Sequence, residues 1–143
     1  MAAQTSTIDV AQPDNVPVAA WIGPVVAAWL IPGAGHFLLK KRGRAALIFL
    51  SVVATFFFGL AMGGMMFTPE KGADYLTSLI NYGGFAANLS AGALYLLNSM
   101  FGTPTPDMAG AVHDYGTKFL VTAGLLNILA MVDTWEIATG KKY

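Results

Sequence analysis

The chain has 143 residues, of which 55% are hydrophobic and only 11% are charged, and its mean hydropathy is +0.58. Soluble domains usually carry about a quarter charged residues, so this composition predicts a membrane protein. Eight Lys and Arg balance eight Asp and Glu, which argues against a nucleic-acid partner, and the lack of cysteine excludes disulfides, iron–sulfur clusters and thiolate metal sites.

The first apolar segment is broken by glycine and proline. Residues 1–16 are polar and small and predict a flexible tail, ahead of one helical membrane domain over 17–143. Inside the segment at about 17–39, Pro32 lacks an amide hydrogen, and Gly33 and Gly35 allow backbone angles closed to other residues, so we expect a structural turn here. The segment then crosses with a kink or dips and returns as a re-entrant pair. Broken backbone in hydrocarbon needs a packing neighbour.

A basic loop follows the break. Its four cations crowd five positions, and such a cluster resists translocation and attracts anionic lipid headgroups. We therefore expect the loop 40–44 to be cytoplasmic and to bind headgroups through Lys40, Lys41, Arg42 and Arg44.

The break itself resembles a known signature. Pro32 to Phe37 reads Pro-Gly-Ala-Gly-His-Phe, which resembles the Pro-Gly-x-Gly-His/Gln-Phe signature of the two-transmembrane-domain superfamily. That superfamily often has Tyr-Leu-Gly before the basic turn, where this chain has Leu38-Leu39-Lys40. Together with Ala123 to Leu129, Asp133 and Gly140 to Lys142, the block is similar to an uncharacterised family of short bacterial membrane proteins, frequent in acidobacteria. The resemblance implies a multi-pass protein of the bacterial inner membrane and no assigned activity.

Three further apolar segments follow, at about 43–66, 75–101 and 113–139. The second segment carries a Gly-x-x-x-Gly pair, which permits close helix approach. The third is interrupted by polar residues and the fourth carries a small and polar stripe at helical spacing. The expected fold is an all-α integral membrane helical bundle with three to four transmembrane helices and a Pro/Gly-broken first segment. The residues expected at helix-packing faces are Gly59, Gly63, Gly83, Ala87, Asn88, Gly124 and Asn127, with Asn88 hydrogen-bonded across an interface.

The two histidines and one acidic pair are the candidates for chemistry. His36 and His113 could ligate the metal of a haem or a chlorophyll through a neutral ring nitrogen. However, neither has a second histidine on its helix, and no His-Glu-x-x-His motif is present. The sequence therefore favours a structural or interfacial role for His36, which could cap nearby carbonyls. For His113, beside Asp114 at a helix start, it favours capping and solvation. Asp133 and Glu136 share a helical face and could relay a proton, but their place near Lys141 favours an ion-paired interfacial turn. No catalytic residue and no metal site are predicted.

These patterns favour a protein that is not an enzyme. The leading hypothesis is an accessory or structural subunit that packs against a larger membrane complex, for which a respiratory or photosynthetic complex is a candidate. The first alternative is a tetrapyrrole- or lipid-binding protein, with His36 as axial ligand to chlorophyll or haem, or with bound lipid at the basic loop. The second alternative is a small oligomeric channel or transporter. The expected partners are membrane lipid and other membrane protein subunits, with no nucleic acid.

Overall fold

The computed structural model describes residues 16–102 and 111–142. Within these ranges the chain forms helices and no strand, which confirms the all-α prediction. The tail predicted over 1–16 falls almost wholly outside the described residues. The helices are α1 (Val18–Leu30), α2 (Ala34–Leu38), α3 (Arg42–Ala61), α4 (Tyr75–Ser90), α5 (Ala93–Phe101) and α6 (Val112–Ala138).

Two of the four predicted segments each contain two helices. In the first segment, Pro32 and Gly33 lie between α1 and α2, and Gly33 has the left-handed φ of +82° that glycine adopts at little cost. In the third segment, α4 gives way to α5 at Gly92, where φ is +63°. The sequence did not predict this second break. Among the described residues, two helices are long and apolar enough to cross a membrane, and these are α3 and α6.

Helix α6 is the central element, against which α1, α2, α3 and α4 all pack. Helix α3 runs antiparallel to it. Near the end of α3, a Cβ added to Gly59 would lie 2.8 Å from Leu120 and 2.9 Å from the Gly116 carbonyl. Near the start of α3, Arg44 reaches Asp133. The core between the two helices is closed by a cluster of Val52, Phe56, Ala91, Leu120 and Ala123.

Helices α1 and α2 form a hairpin at the end of the bundle where α3 starts and α6 ends. A Cβ added to Gly35 of α2 would overlap the carbonyl of Pro24 and lie 2.8 Å from Ala28, so α2 folds back along α1. Gly35 therefore lies inside a helix at a close contact, and not in the turn as predicted. The tip of this hairpin, after Trp29, reaches Asn127 about halfway along α6.

Helices α4 and α5 form a second hairpin, which enters from the opposite end. Helix α4 runs parallel to α6, with Ala87 packed against Gly124. Helix α5 then returns, since the rings of Phe85 and Tyr95 meet edge to face at 6.2 Å and Asn98 reaches the sulfur of Met66, beyond the end of α3. The tips of the two hairpins consequently meet near the middle of the α3–α6 pair.

The predicted Gly-x-x-x-Gly pair needs a correction. Helix α3 ends at Ala61, so Gly63 lies in the turn beyond it with φ of +69°, and a Cβ added there would meet nothing within 4 Å. Its neighbour Gly64 instead lies against the backbone of Gly116. The chain leaves the helix before the second glycine of the pair, because two glycines in succession favour a turn.

Candidate functional site

The two hairpin tips meet at a set of residues that we call the tip junction: Trp29, Leu89, Ser90, Gly92 and Asn127. The fully buried Asn127 donates from Nδ2 to the carbonyl of Ser90 at 2.8 Å and to that of Trp29 at 3.3 Å. The indole of Trp29 donates to the carbonyl of Leu89 at 3.1 Å. The last carbonyls of a helix have no intrahelical partner, so side-chain donors satisfy the ends of both α1 and α4.

The backbones of neighbouring helices are in close contact at the tip junction and beside it. A Cβ added to Gly92 would overlap the carbonyl of Trp29, and one added to Gly124 would overlap the carbonyl of Ala87. Only glycine permits these approaches, because any side chain would collide with backbone that cannot move independently. The junction is therefore a packed contact between helices, with no opening through it at these two positions.

Three polar atoms beside this contact have no hydrogen-bond partner in the described part of the chain. They are Oδ1 and Nδ2 of Asn88 and Oδ1 of Asn127, and both residues are at most 1% exposed. No described residue thus makes the hydrogen bond predicted for Asn88. A buried polar group left unpaired costs about 1–3 kcal/mol.

A second polar set lies at the end of the bundle where the basic loop joins α3, and we call it the basic-end cluster: His36, Arg44, Asp133, Thr134 and Lys142. His36 is fully buried, with Nε2 2.8 Å from Oδ2 of Asp133 and Nδ1 3.2 Å from the hydroxyl of Thr134. Thr134 also donates to the Ala130 carbonyl at 2.8 Å. Both ring nitrogens of His36 thus lie within hydrogen-bond distance of a polar side chain of α6.

Asp133 connects three elements of the basic end. Besides His36 of α2, its carboxylate pairs with Lys142 beyond the end of α6, and Nη1 of Arg44 on α3 lies 3.7 Å away. Its side chain is 22% exposed, so the group lies at the edge of the packed interior. Asp133 is thus ion-paired, but two of its partners, His36 and Arg44, lie far earlier in the chain, and the third is Lys142.

The surroundings of His36 change the interpretation of this residue. Both ring nitrogens already have a partner and the side chain has no exposed surface. In this arrangement neither nitrogen can bind the iron of a haem or the magnesium of a chlorophyll, and the predicted capping of carbonyls is replaced by the bond to Asp133. Nε2 of His113 lies 3.1 Å from Oδ1 of Asp114 at the start of α6. Among the described residues, no group of three or more His, Asp or Glu side chains could hold a metal ion.

The four cations of the basic loop separate into two groups. Arg44 points towards Asp133 in the basic-end cluster. Lys40, Lys41 and Arg42 are exposed, and the guanidinium of Arg42 lies 5.9 Å from the ring centroid of Phe37. Three of the four cations are therefore available to a ligand.

Most of the residues predicted at packing faces are used inside the chain. Gly59 lies against α6, Gly124 against Ala87, and Asn127 joins the two hairpins. Gly83 is the exception on α4, since a Cβ added there would meet nothing within 4 Å.

Together, these features define a chain whose described part is all-helical and contains two helices that are long and apolar enough to cross a membrane. The chain belongs to the DUF6677 family, a family of unknown function, which matches residues 23–143. This agrees with the predicted membership of an uncharacterised family; the acidobacterial link and the two-transmembrane signature stay predictions. No curated protein and no solved structure matches the chain.

Proposed function

We propose that the protein is a membrane-embedded structural subunit that is not an enzyme and packs against another membrane protein. Helices α3 and α6 cross the bilayer, since 20 and 27 residues reach about 30 and 40 Å at 1.5 Å per residue. Helix α1, with 13 residues, reaches only about 20 Å. The α1–α2 and α4–α5 hairpins are then half-membrane elements that enter from opposite sides and meet at the tip junction.

The distribution of cations supports this topology and a cytoplasmic basic end. Positively charged residues concentrate on the cytoplasmic side of membrane proteins. The opposite end of the bundle has Lys71 and Lys118. The basic end has Lys40, Lys41, Arg42, Arg44, Lys141 and Lys142.

The observation that carries the proposal is the incomplete cover of the α4–α5 hairpin. None of the nine residues of α5 is buried, Met100 and Phe101 are 79% and 85% exposed, and Gly83 of α4 faces open space. A helix end at membrane depth is tolerated where protein covers it. The described part of the chain covers this hairpin on one side, and we propose that a partner subunit covers the other.

The experiment is purification of the tagged full chain from its native membrane in mild detergent, with identification of the polypeptides that come with it. Gly83→Leu places a side chain on the open face of α4 and should release the partner. The matched control is Gly23→Leu, because Gly23 of α1 is also helical and has no atom within 4 Å of an added Cβ. Recovery of the chain only as a monomer, or equal partner retention in both variants, would refute the proposal.

A small oligomeric channel or transporter is the second candidate, because unpartnered amide atoms of Asn88 and Asn127 lie at the depth where broken helices bind solutes in transporters. The sealed backbone contact of Gly92 with Trp29 means that a passage would have to lie between copies of the chain. Crosslinked oligomers that conduct small solutes in proteoliposomes would favour this candidate, whereas uncrosslinkable, impermeable protein would remove it.

A further inference from the structure

An apolar groove opens beside the connection between α2 and α3. Its volume is about 380 Å³ and it runs along the first two turns of α3 towards the break between α1 and α2. Its walls are almost wholly apolar. Among the residues that line it are Ile31, Pro32, Phe37, Ala46 and Phe49, and the single charged one is Arg42.

The mouth of the groove is positively charged. Arg42 lies there with its guanidinium 5.9 Å from the ring centroid of Phe37, and the exposed Lys40 and Lys41 directly precede it. No acidic side chain lines the groove. Asp133, the acidic residue of the basic-end cluster, pairs with Arg44 and Lys142 and not with Arg42.

We infer that this groove binds one anionic phospholipid, with its phosphate at Arg42 and the upper part of one acyl chain between α2 and α3. Arg42 and Phe49 are seven residues apart on α3, which is about 10 Å along the helix. This length fits within one leaflet of a hydrocarbon core about 30 Å thick. A neutral lipid would leave the cations unused, and a free phosphate would leave the groove unfilled. The charged mouth and the apolar walls together match a lipid that has both parts.

The proposed site divides the basic loop by role. Arg42, helped by the neighbouring lysines, binds the headgroup, whereas Arg44 holds Asp133 and contributes to the fold. The inference rests on the membrane placement proposed above, but it does not depend on a partner subunit. A helical protein that keeps its partner and shows no lipid preference would refute the lipid site alone.

Native mass spectrometry of the purified full chain tests the site, with phosphatidylglycerol and phosphatidylcholine of identical acyl chains offered separately. We expect retention of the anionic lipid over the neutral one. Arg42→Gln should weaken phosphatidylglycerol binding about fivefold, the usual effect of one cation near a lipid surface. The matched control Lys71→Gln removes a cation from the opposite end and should leave binding unchanged.

A second pair of variants tests the groove separately from the charge. Ala46 lines the groove and is exposed, so Ala46→Phe fills it without entering the core and should abolish retention while all cations remain. Leu47, the next residue, is 68% exposed and does not line this groove, so Leu47→Phe should have no effect. Far-UV circular dichroism verifies that each variant is folded, and if Arg42→Gln does not fold, the Ala46 and Leu47 pair still decides.

Three results would overturn the inference. Equal retention of the two lipids would show that charge does not matter, and retention by Ala46→Phe would show that the groove is not the site. Displacement of phosphatidylglycerol by glycerol phosphate, which has no acyl chain, would reduce the site to a phosphate site. A change of oligomeric state in Ala46→Phe with unchanged lipid retention would assign the groove to a second copy of the chain.

Discussion

Replacing asparagine with alanine should have a different effect on stability at each of two buried positions, Asn127 and Asn88. Asn127→Ala removes the hydrogen bonds at 2.8 and 3.3 Å that satisfy carbonyls of both hairpins. Asn88→Ala removes an amide that has no partner in the described part of the chain. The two residues are 0% and 1% exposed, so each substitution leaves a cavity of the same side chain in a closed site, and the cavity cost largely cancels in the comparison.

The expected difference follows from these bonds. A hydrogen bond between membrane helices is worth about 0.6 kcal/mol on average and up to about 1.7. Asn127→Ala also leaves two carbonyls unpaired, so we expect a loss of about 1–3 kcal/mol in the free energy of unfolding. Asn88→Ala removes an amide that is buried without a partner among the described residues. The desolvation cost that disappears with this amide offsets the cost of the cavity that the substitution leaves. The unfolding equilibria of the two variants should differ about 30-fold, which corresponds to about 2 kcal/mol.

The assay is reversible unfolding of the full chain in mixed micelles with increasing sodium dodecyl sulfate, followed by far-UV circular dichroism and tryptophan fluorescence. The order of midpoints should be Asn127→Ala below Asn88→Ala, with the latter close to the wild type. If both variants lose the same stability, the hydrogen bonds of Asn127 do not stabilise the tip junction, which is then held by packing and by the Trp29 indole.

Three further predictions concern other parts of the fold. Gly92→Ala should lower the free energy of unfolding by about 1–3 kcal/mol, the usual cost of a residue other than glycine at a positive φ. The collision of the new Cβ with the Trp29 carbonyl of α1 adds to this loss. The same unfolding assay measures it. His36→Ala should cost about 2 kcal/mol, as the loss of a charge-assisted hydrogen bond to Asp133 does, and retention of wild-type stability would contradict that role. Asp74 accepts hydrogen bonds from Thr77, which lower its pKa. Since the pKa of Asp74 is lower in the folded than in the unfolded chain, its carboxylate stabilises α4 above the unfolded pKa of about 4. This effect is lost as pH falls below that value and through the lowered folded pKa. Asp74→Asn should flatten that part of a profile of stability against pH.

The two hairpin tips differ in how strongly the local sequence marks them, for a physical reason. Pro32 lacks a donor and therefore ends a helix from local chemistry alone. The residues 88–92 contain no proline, and a single glycine inside an apolar helix is a weak signal. The φ of Gly92 is tied to its contact with the Trp29 carbonyl, which is a tertiary contact. Such a break can be predicted only when the position of the contacting backbone, here that of α1, is known.

The same limit applies to the candidate polar site. His36 and Asp133 were each singled out, but they lie 97 positions apart and local reasoning assigned them to different turns. The small residues at positions 59, 87 and 124 lie at close contacts between helices of this chain. A face of small residues can pack against a helix of the same chain or against a helix of another protein. The spacing of residues along one helix does not say which.

The position of Asn127 on the last described helix also affects how the protein can be made. Both hairpins emerge from the ribosome before α6, yet the carbonyls at their tips receive their side-chain donor from α6. In the membrane placement proposed above, each tip would present unpaired carbonyls to the interior of the bilayer until that helix arrives, which is costly. The hairpins should therefore stay near the membrane surface, or be shielded by the insertion machinery, until α6 enters the membrane. They then move to their final depth. A chain whose synthesis stops before residue 127 would lack much of α6 and also the side-chain donor that holds the tips of both hairpins.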